Sequence, residues 1–455
     1  MMKTSRKALA SSLVMLLVAL YLLTGCSSSE GATSKKTGKW AGQTLTVQMI
    51  GTFKMQDSTD PITGQKVKGL NTLKEEFEKQ HPGATLKIVT MPWDGYIQKT
   101  KTMVTGNQAD VYQMPGLDSG YAREGDLEPL QPFIDKDHFD LNKYVDNQVE
   151  GWETIGPDGK KRIYGLPVFG DTRFILYDKK VFKDWGVKDL SAHPTMNEIL
   201  EKAKQMTGKN PKTGKQNYGV YFSGKSPEWL IVNAAEAQNG SWGSGQKFDE
   251  MKFNFDSPEM LKGLNWLLDL SKYAPKGITS DQGSEKWLTK DNNIAIMLNQ
   301  GPGSLISKIN SQGLQKRIGI AQEFNNDEGK GGLFAGSPFV MAKNSKHKDL
   351  AWEWIKFSST DFFQKYLWEE YNSIPVIKDA KKWKSIKDES QFMNPIFDAL
   401  STPWTPHYPW VNGEPRLELE SQVQGALTGK ISPKAALENV EQKSNEWAKQ
   451  QLNNQ

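Results

Sequence analysis

The chain has 455 residues, a formal net charge of +4, a hydrophobic fraction of 37%, 15 tryptophans and one cysteine. So small a charge gives no broad electrostatic case for nucleic acid or an acidic membrane surface as a partner. One cysteine cannot form an internal disulfide framework, so stability must come from buried cores, which a chain of this length can build as more than one lobe. The five histidines show no metal-ligand spacing, and neither a metal nor a cofactor is expected.

In chain order, the first feature is a basic head of Lys3, Arg6 and Lys7, then an apolar run from Leu13 to Leu23, then Leu23-Thr24-Gly25-Cys26. These are the parts of a secretory signal over 1–25. The apolar run is about half the ~20 residues that a spanning helix needs. The ending resembles the bacterial lipobox, which implies cleavage before Cys26 and acylation of its sulfur and its new amino terminus; the bland alternative is an ordinary signal peptide that ends near a cysteine. Two or more acyl chains anchor a protein stably where one is marginal. Residues 26–40 then read as the lipidated cysteine and a flexible Ser/Gly/Thr/Lys-rich tether.

The body opens on an alternating strand, Thr44 to Ile50. Leu70, Leu73 and Phe77 follow at helical spacing, and His81-Pro82-Gly83 stops that helix. Thr85 to Val89 is a second strand. Asp94 is expected to cap a helix carrying Ile97 and Val104, before a third strand from Ala109 to Gln113. Strand, helix and strand in succession predict parallel pairing with right-handed crossovers. Ligands of open α/β sheets bind beyond the carboxyl ends of strands, here the loops from Gly51 to Gly69 and Met114 to Gly120. Further on, Arg173 to Tyr177 and Asn293 to Leu298 read as strands. Thr195 and Glu198 have capping-box spacing, Pro227 opens a helix, Ser257-Pro258 and Ser432-Pro433 start two more, and the chain is mostly helical from His347.

The order of these signals resembles the extracellular solute-binding proteins of carbohydrate ABC transporters, the group that includes maltose-binding protein. The matching stretches are Ala109-Asp110-Val111, Tyr164-Gly165-Leu166-Pro167 with Leu176-Tyr177-Asp178-Lys179, and Asn293 to Leu298 before a glycine turn. Gly332 to Gly336, Ala351-Trp352-Glu353-Trp354-Ile355, Ser373-Ile374-Pro375 and Leu427-Thr428-Gly429-Lys430 continue the match. One departure is Asp178, where the family more often has Asn. The resemblance implies an α/β, two-lobed periplasmic-binding-protein-like fold, each lobe a mixed sheet flanked by helices. Crossing segments near Asp171-Thr172-Arg173, Ala335 to Phe339 and Ile374-Pro375 would form the hinge. Lobe 1 would comprise 41–170 plus 341–373, and lobe 2 171–340 plus 374–455. It also implies a non-enzymatic monomer on the extracytoplasmic face of a bacterial membrane, and the lipobox before a long soluble body favours a Gram-positive envelope. Such a protein takes a carbohydrate, in the first instance an oligosaccharide, and passes it to an ABC permease.

A sugar cleft needs flat aromatic rings for C–H faces and charged or amide groups for the hydroxyls. Trp404-Thr405-Pro406-His407-Tyr408-Pro409-Trp410 has this character, and the resemblance implies that an aromatic from this region stacks on sugar; the bland alternative is rings packed under a loop. Arg416 follows closely, as a ligand contact or a surface ion pair. The resemblance also points to Trp229, to Asp118 in the third strand's loop, and to Asp171 on the first crossing, which could instead pair with Arg173. Trp242, in a glycine-rich loop, either binds or packs on its own lobe. Gly301 and Gly303 either let backbone approach the ligand or make a turn, and Phe53 follows the first strand. The other classes weighed are a lipid-anchored glycosidase or esterase and a sensory protein presenting ligand to a receptor. No Gly-x-Ser-x-Gly, His-Glu-x-x-His or phosphate-binding loop supports the enzyme.

Overall fold

The computed structural model describes residues 38–453 apart from 61–63, 117, 171, 246–247, 324–335 and 402–412. Cys26, Trp404, Trp410 and Asp171, with the signal and most of the tether, lie outside the described residues.

Two sheets flanked by helices organise the chain as two lobes. The first sheet uses β1 (Thr44–Ile50), β2 (Thr85–Met91), β3 (Val111–Gln113), β4 (Leu127–Glu128) and β5 (Gly165–Phe169). The second uses β6 (Phe174–Asp178), β7 (Gly208–Lys209), β8 (Gln216–Tyr221), β9 (Ile294–Gln300) and β10 (Ile318–Gln322), and β11 (Ser337–Ala342) returns to the first. The first sheet runs β2-β1-β3-β11-β4 with β5 also on β11, and the second runs β7-β8-β9-β6-β10. β1 is parallel to both β2 and β3, the parallel pairing expected, while β11 lies antiparallel to β3. In the second sheet β8 and β9 are parallel and β6 is antiparallel to its neighbours.

The helices follow their apolar faces. Between β1 and β2, α1 (Asn71–Gln80) buries Leu73 and Phe77. α2 (Tyr96–Thr105) follows β2, but Gly95, in the left-handed region at φ 65°, sits at its N-cap, and no side chain caps it. Asp94 therefore does not take the expected role: the chain needs a left-handed residue there, which glycine adopts without strain. After β3 comes α3 (Asp118–Glu124). In the second lobe, α4 (Lys179–Trp185) is capped by Asp178 and α5 (Met196–Gln205) by Thr195. Only half of the expected capping box forms: Thr195 Oγ1 accepts from Glu198 N–H, but the Glu198 carboxylate accepts from Ser191 N–H and Lys202 instead. α6 (Glu228–Glu236) opens after Pro227, and α7 (Pro258–Ser271) carries the Ser257 cap and proline at its first turn. α8 (Pro302–Ser311), α9 (Lys348–Phe357), α10 (Asp361–Tyr371), α11 (Ser390–Leu400), α12 (Glu414–Leu427) and α13 (Pro433–Asn453) complete the chain. No helix among the described residues is long and apolar enough to cross a membrane.

The segments that run between the sheets are laced together. Gly170 follows β5, Thr172 and Arg173 precede β6, and Gly170 N–H donates to Ile374 C=O at 2.8 Å. Buried Gln364 donates to Val168 C=O at 2.6 Å and accepts from Val376 N–H at 3.0 Å. A Cβ on Gly303 would lie 2.2 Å from Asn372 O, so α8 packs its backbone directly on the segment that begins the later crossing. That close approach explains this glycine without a ligand.

Candidate ligand cleft

The carboxyl ends of β1, β2 and β3 in one lobe, and of β8, β9 and β10 in the other, define the region where the loops can meet a ligand. On the first side, Gly51 sits at φ 150°, and a Cβ there would press to 2.7 Å from the Phe53 ring. Phe53 is half-buried and packs edge-on against Tyr371 with centroids 4.9 Å apart. The long polar loop after β1 is a built structure: Ser58–Thr59 pairs with Lys66–Val67, and Lys68 C=O accepts from the hydroxyls of Tyr366 and Tyr371 at 2.9 and 3.0 Å. Asp118, the first residue of α3, is 1% exposed, so it is no solvated loop carboxylate.

The strongest feature was not singled out from sequence. Trp93, just beyond β2, is the most exposed large apolar side chain among the described residues, at 45%. It packs edge-on against Tyr96 at 5.5 Å. Arg416 hydrogen-bonds the Tyr96 hydroxyl, whose pKa is raised by burial against the pull of that guanidinium. The same guanidinium lies 5.2 Å from the centre of the Trp229 ring, and Trp229 meets Trp242 edge-on at 5.6 Å. A file of four side chains therefore runs from the loop after β2, through α2 and α12, to the first turn of α6. Arg416 is held from behind by Glu228, fully buried, whose Oε1 accepts from Nη2 at 2.9 Å and Nε at 3.1 Å. It is thus a buried pair and not the surface ion pair weighed from sequence. Trp242 is 3% exposed and packs on Phe255, a core placement in its own lobe. Gly301 caps α8 at φ −77°, a conformation open to other residues.

At the carboxyl end of β10 lies Glu323, 2% exposed. Its carboxylate accepts from Asn299 N–H at 2.6 Å and Asn233 Nδ2 at 2.8 Å. Burial pushes its pKa up to about 7, against smaller opposing effects of these bonds and of the Arg173 charge. A folded-state pKa above the ordinary 4.5 means that the folded form holds the proton more tightly than the unfolded chain. This contribution is fully present below pH ~4.5 and is lost as pH rises to about 7. Glu323→Gln is expected to flatten that part of the profile of melting temperature between pH 5 and 8. An unchanged slope would place the titration elsewhere. No group of three His, Cys, Asp or Glu among the described residues is placed to hold a metal.

Two lobes, each a sheet flanked by helices, with an aromatic, guanidinium-bridged file between them, have the architecture of a two-lobed binding protein. The model of the bacterial extracellular solute-binding proteins matches residues 63–361, and the chain belongs to that family. The family is one of binding proteins, not enzymes. Over 441 residues the chain is 23% identical to the diacetylchitobiose binding protein DasA of Streptomyces coelicolor, covering 94% of this chain and 96% of that one. The fold matches the ABC substrate-binding protein Lmo0181 of Listeria monocytogenes, solved with cycloalternan, at a TM-score of 0.69 and 21% identity, covering 89% of this chain and 98% of that one. It also matches the sugar-binding protein MalE of Xanthomonas citri at a TM-score of 0.70 and 20% identity, over 90% and 98%.

Proposed function

We propose that this chain is the lipid-anchored capture subunit of a carbohydrate ABC transporter, which holds an oligosaccharide between its lobes and delivers it to the permease. The observation that carries the reading is the file Trp93–Tyr96–Arg416–Trp229 at the cleft. Exposed indole offers a flat apolar area for a sugar face, and a guanidinium fixed by a buried carboxylate offers charge-assisted hydrogen bonds. The sugar-binding names of its relatives point the same way. In this proposal lobe 1 is 41–170 plus 337–373 and lobe 2 is 171–336 plus 374–455, the boundary expected at 340/341 moving to the start of β11 because Ser337–Ala342 pairs wholly within the first sheet; Asp118, Phe53, Trp404 and Trp410 are further contacts. A ligand that touches both lobes prefers the closed form and shifts the population toward it, which is what a permease reads. Acylated Cys26 holds the body at the outer membrane face.

The test is calorimetric titration of the chain from Gly38 to Gln455 against neutral and acidic oligosaccharides, diacetylchitobiose and maltose among them, with the ligand recovered and assayed for cleavage. One-to-one binding of an intact saccharide supports the proposal; cleavage, or binding only of peptides, sinks it. Trp93→Ala is expected to lose about 2 kcal/mol of that affinity, the order of one buried aromatic face. Because the ring is exposed, stability to urea should change by less than about 0.5 kcal/mol.

A further inference from the structure

Arg123 is in an unusual position. It lies in the last turn of α3, which packs on β4 and on Glu153–Ile155 of the first lobe. It is 8% exposed, yet its Nε and Nη2 have no hydrogen-bond acceptor among the described residues. Water would satisfy every one of these donors, so burial here carries a desolvation cost with no hydrogen bond to a described residue in return. What the guanidinium does meet is the Phe248 ring, 5.7 Å from its centre. Phe248 belongs to the other body: it sits between the paired strands Gly243–Ser244 and Lys252–Phe253 and packs edge-on against Trp447 of α13 at 5.6 Å.

We propose that Arg123 and Phe248 form a latch between the lobes, made on closure and lost on opening. With the lobes apart, the guanidinium is hydrated and the ring face is wet. Together, they exclude water and gain a cation–π contact that strengthens with desolvation. The electrostatic surroundings fit: burial lowers the Arg123 pKa to about 10, and the charges of Glu250 and Asp249, on the same loop as Phe248, oppose that fall. The cation thus approaches a loop that carries the complementary sign. With Nε and Nη2 making no hydrogen bond to a described residue, the latch stays weak, so a ligand can still decide the equilibrium. The latch uses none of the four side chains of the Trp93 to Trp229 file and sets affinity through the closure equilibrium. This inference rests on the capture reading only for its purpose, and its test needs no ligand.

The test measures the distance between lobes by pulsed electron spin resonance in the full chain carrying Cys26→Ser, with spin labels at Lys87→Cys and Lys262→Cys, both exposed. Without ligand, Arg123→Ala and Phe248→Ala should each lower the ratio of short-distance to long-distance populations by roughly 3- to 30-fold, the span of a cation–π contact between exposed and desolvated settings. The double variant should fall no further than either single one. Arg123→Lys, which keeps the charge on a different geometry, should give an intermediate ratio. Unchanged distances in both alanine variants, or effects that simply add, would overturn the latch. Near-ultraviolet circular dichroism of each variant separates opening from unfolding. A latch that passes this test while no saccharide binds in the calorimeter would leave the closure device standing and reject the sugar.

Discussion

Arg416→Ala is expected to destabilise the chain by about 3–5 kcal/mol, the usual cost of removing one partner from a buried ion pair. Glu228 has no exposed side-chain surface, and Arg416 donates to its Oε1 twice. Nearby Glu420 already has a pKa raised by burial and by the Glu228 charge, with Arg416 opposing that rise. Without the guanidinium, two carboxylates are left facing each other, and the field favours protonation. The sign of the pH dependence follows. The folded variant should bind protons above the ordinary carboxylate range, so its deficit against the parent should narrow as pH is lowered from 8 toward 5. Urea unfolding at both pH values measures this. A deficit below about 1 kcal/mol, or one that grows on acidification, would show that Glu228 has other support. Arg416→Ala/Glu228→Gln should recover part of the loss, because the fully buried carboxylate is then gone.

The second large effect concerns Asp178, the position at which the resembling family more often has asparagine. Its side chain is fully buried, and its carboxylate takes Arg317 Nε at 2.9 Å to each oxygen and Nη2 at 2.6 Å, together with Asn292 Nδ2 at 2.7 Å. Oδ1 also accepts from the N–H groups of Lys180 and Val181, capping α4. Asparagine would keep the cap and lose the ion pair. Asp178→Asn should therefore cost about 3 kcal/mol, with the far-ultraviolet spectrum and the ligand cleft unaffected. Asp178→Asn/Arg317→Met should be closer to the parent. A double variant as unstable as the single one would assign the loss to the cap or to packing.

The parts of the fold that were legible in the sequence are those with a local cause. β1 carries an alternating pattern and ends where expected, at Ile50, and Ser257-Pro258 and Thr195 start their helices as read. The short hairpin inside the loop after β1 was hidden because its strands have two residues each, too few for a period of two to register. Much of the cleft could not be read from local sequence, because its members meet across hundreds of residues. Nothing near Arg416 announces Glu228, and nothing near Trp93 announces Arg416. Trp93 itself sits in Met91-Pro92-Trp93-Asp94-Gly95, with no periodic signal; a lone tryptophan directly after a parallel strand was the clue. Composition could not separate a binding tryptophan from a packing one, as buried Trp242 and exposed Trp93 illustrate.

Carbohydrate capture between the lobes is tested most directly by a crystal structure of the chain with the saccharide that binds it best. Sugar is expected between the carboxyl ends of the two sheets, one ring face on Trp93 and hydroxyls within hydrogen-bond distance of Arg416 or Asp118. A saccharide bound on the outer surface of one lobe, with Trp93 still open to solvent, would contradict it.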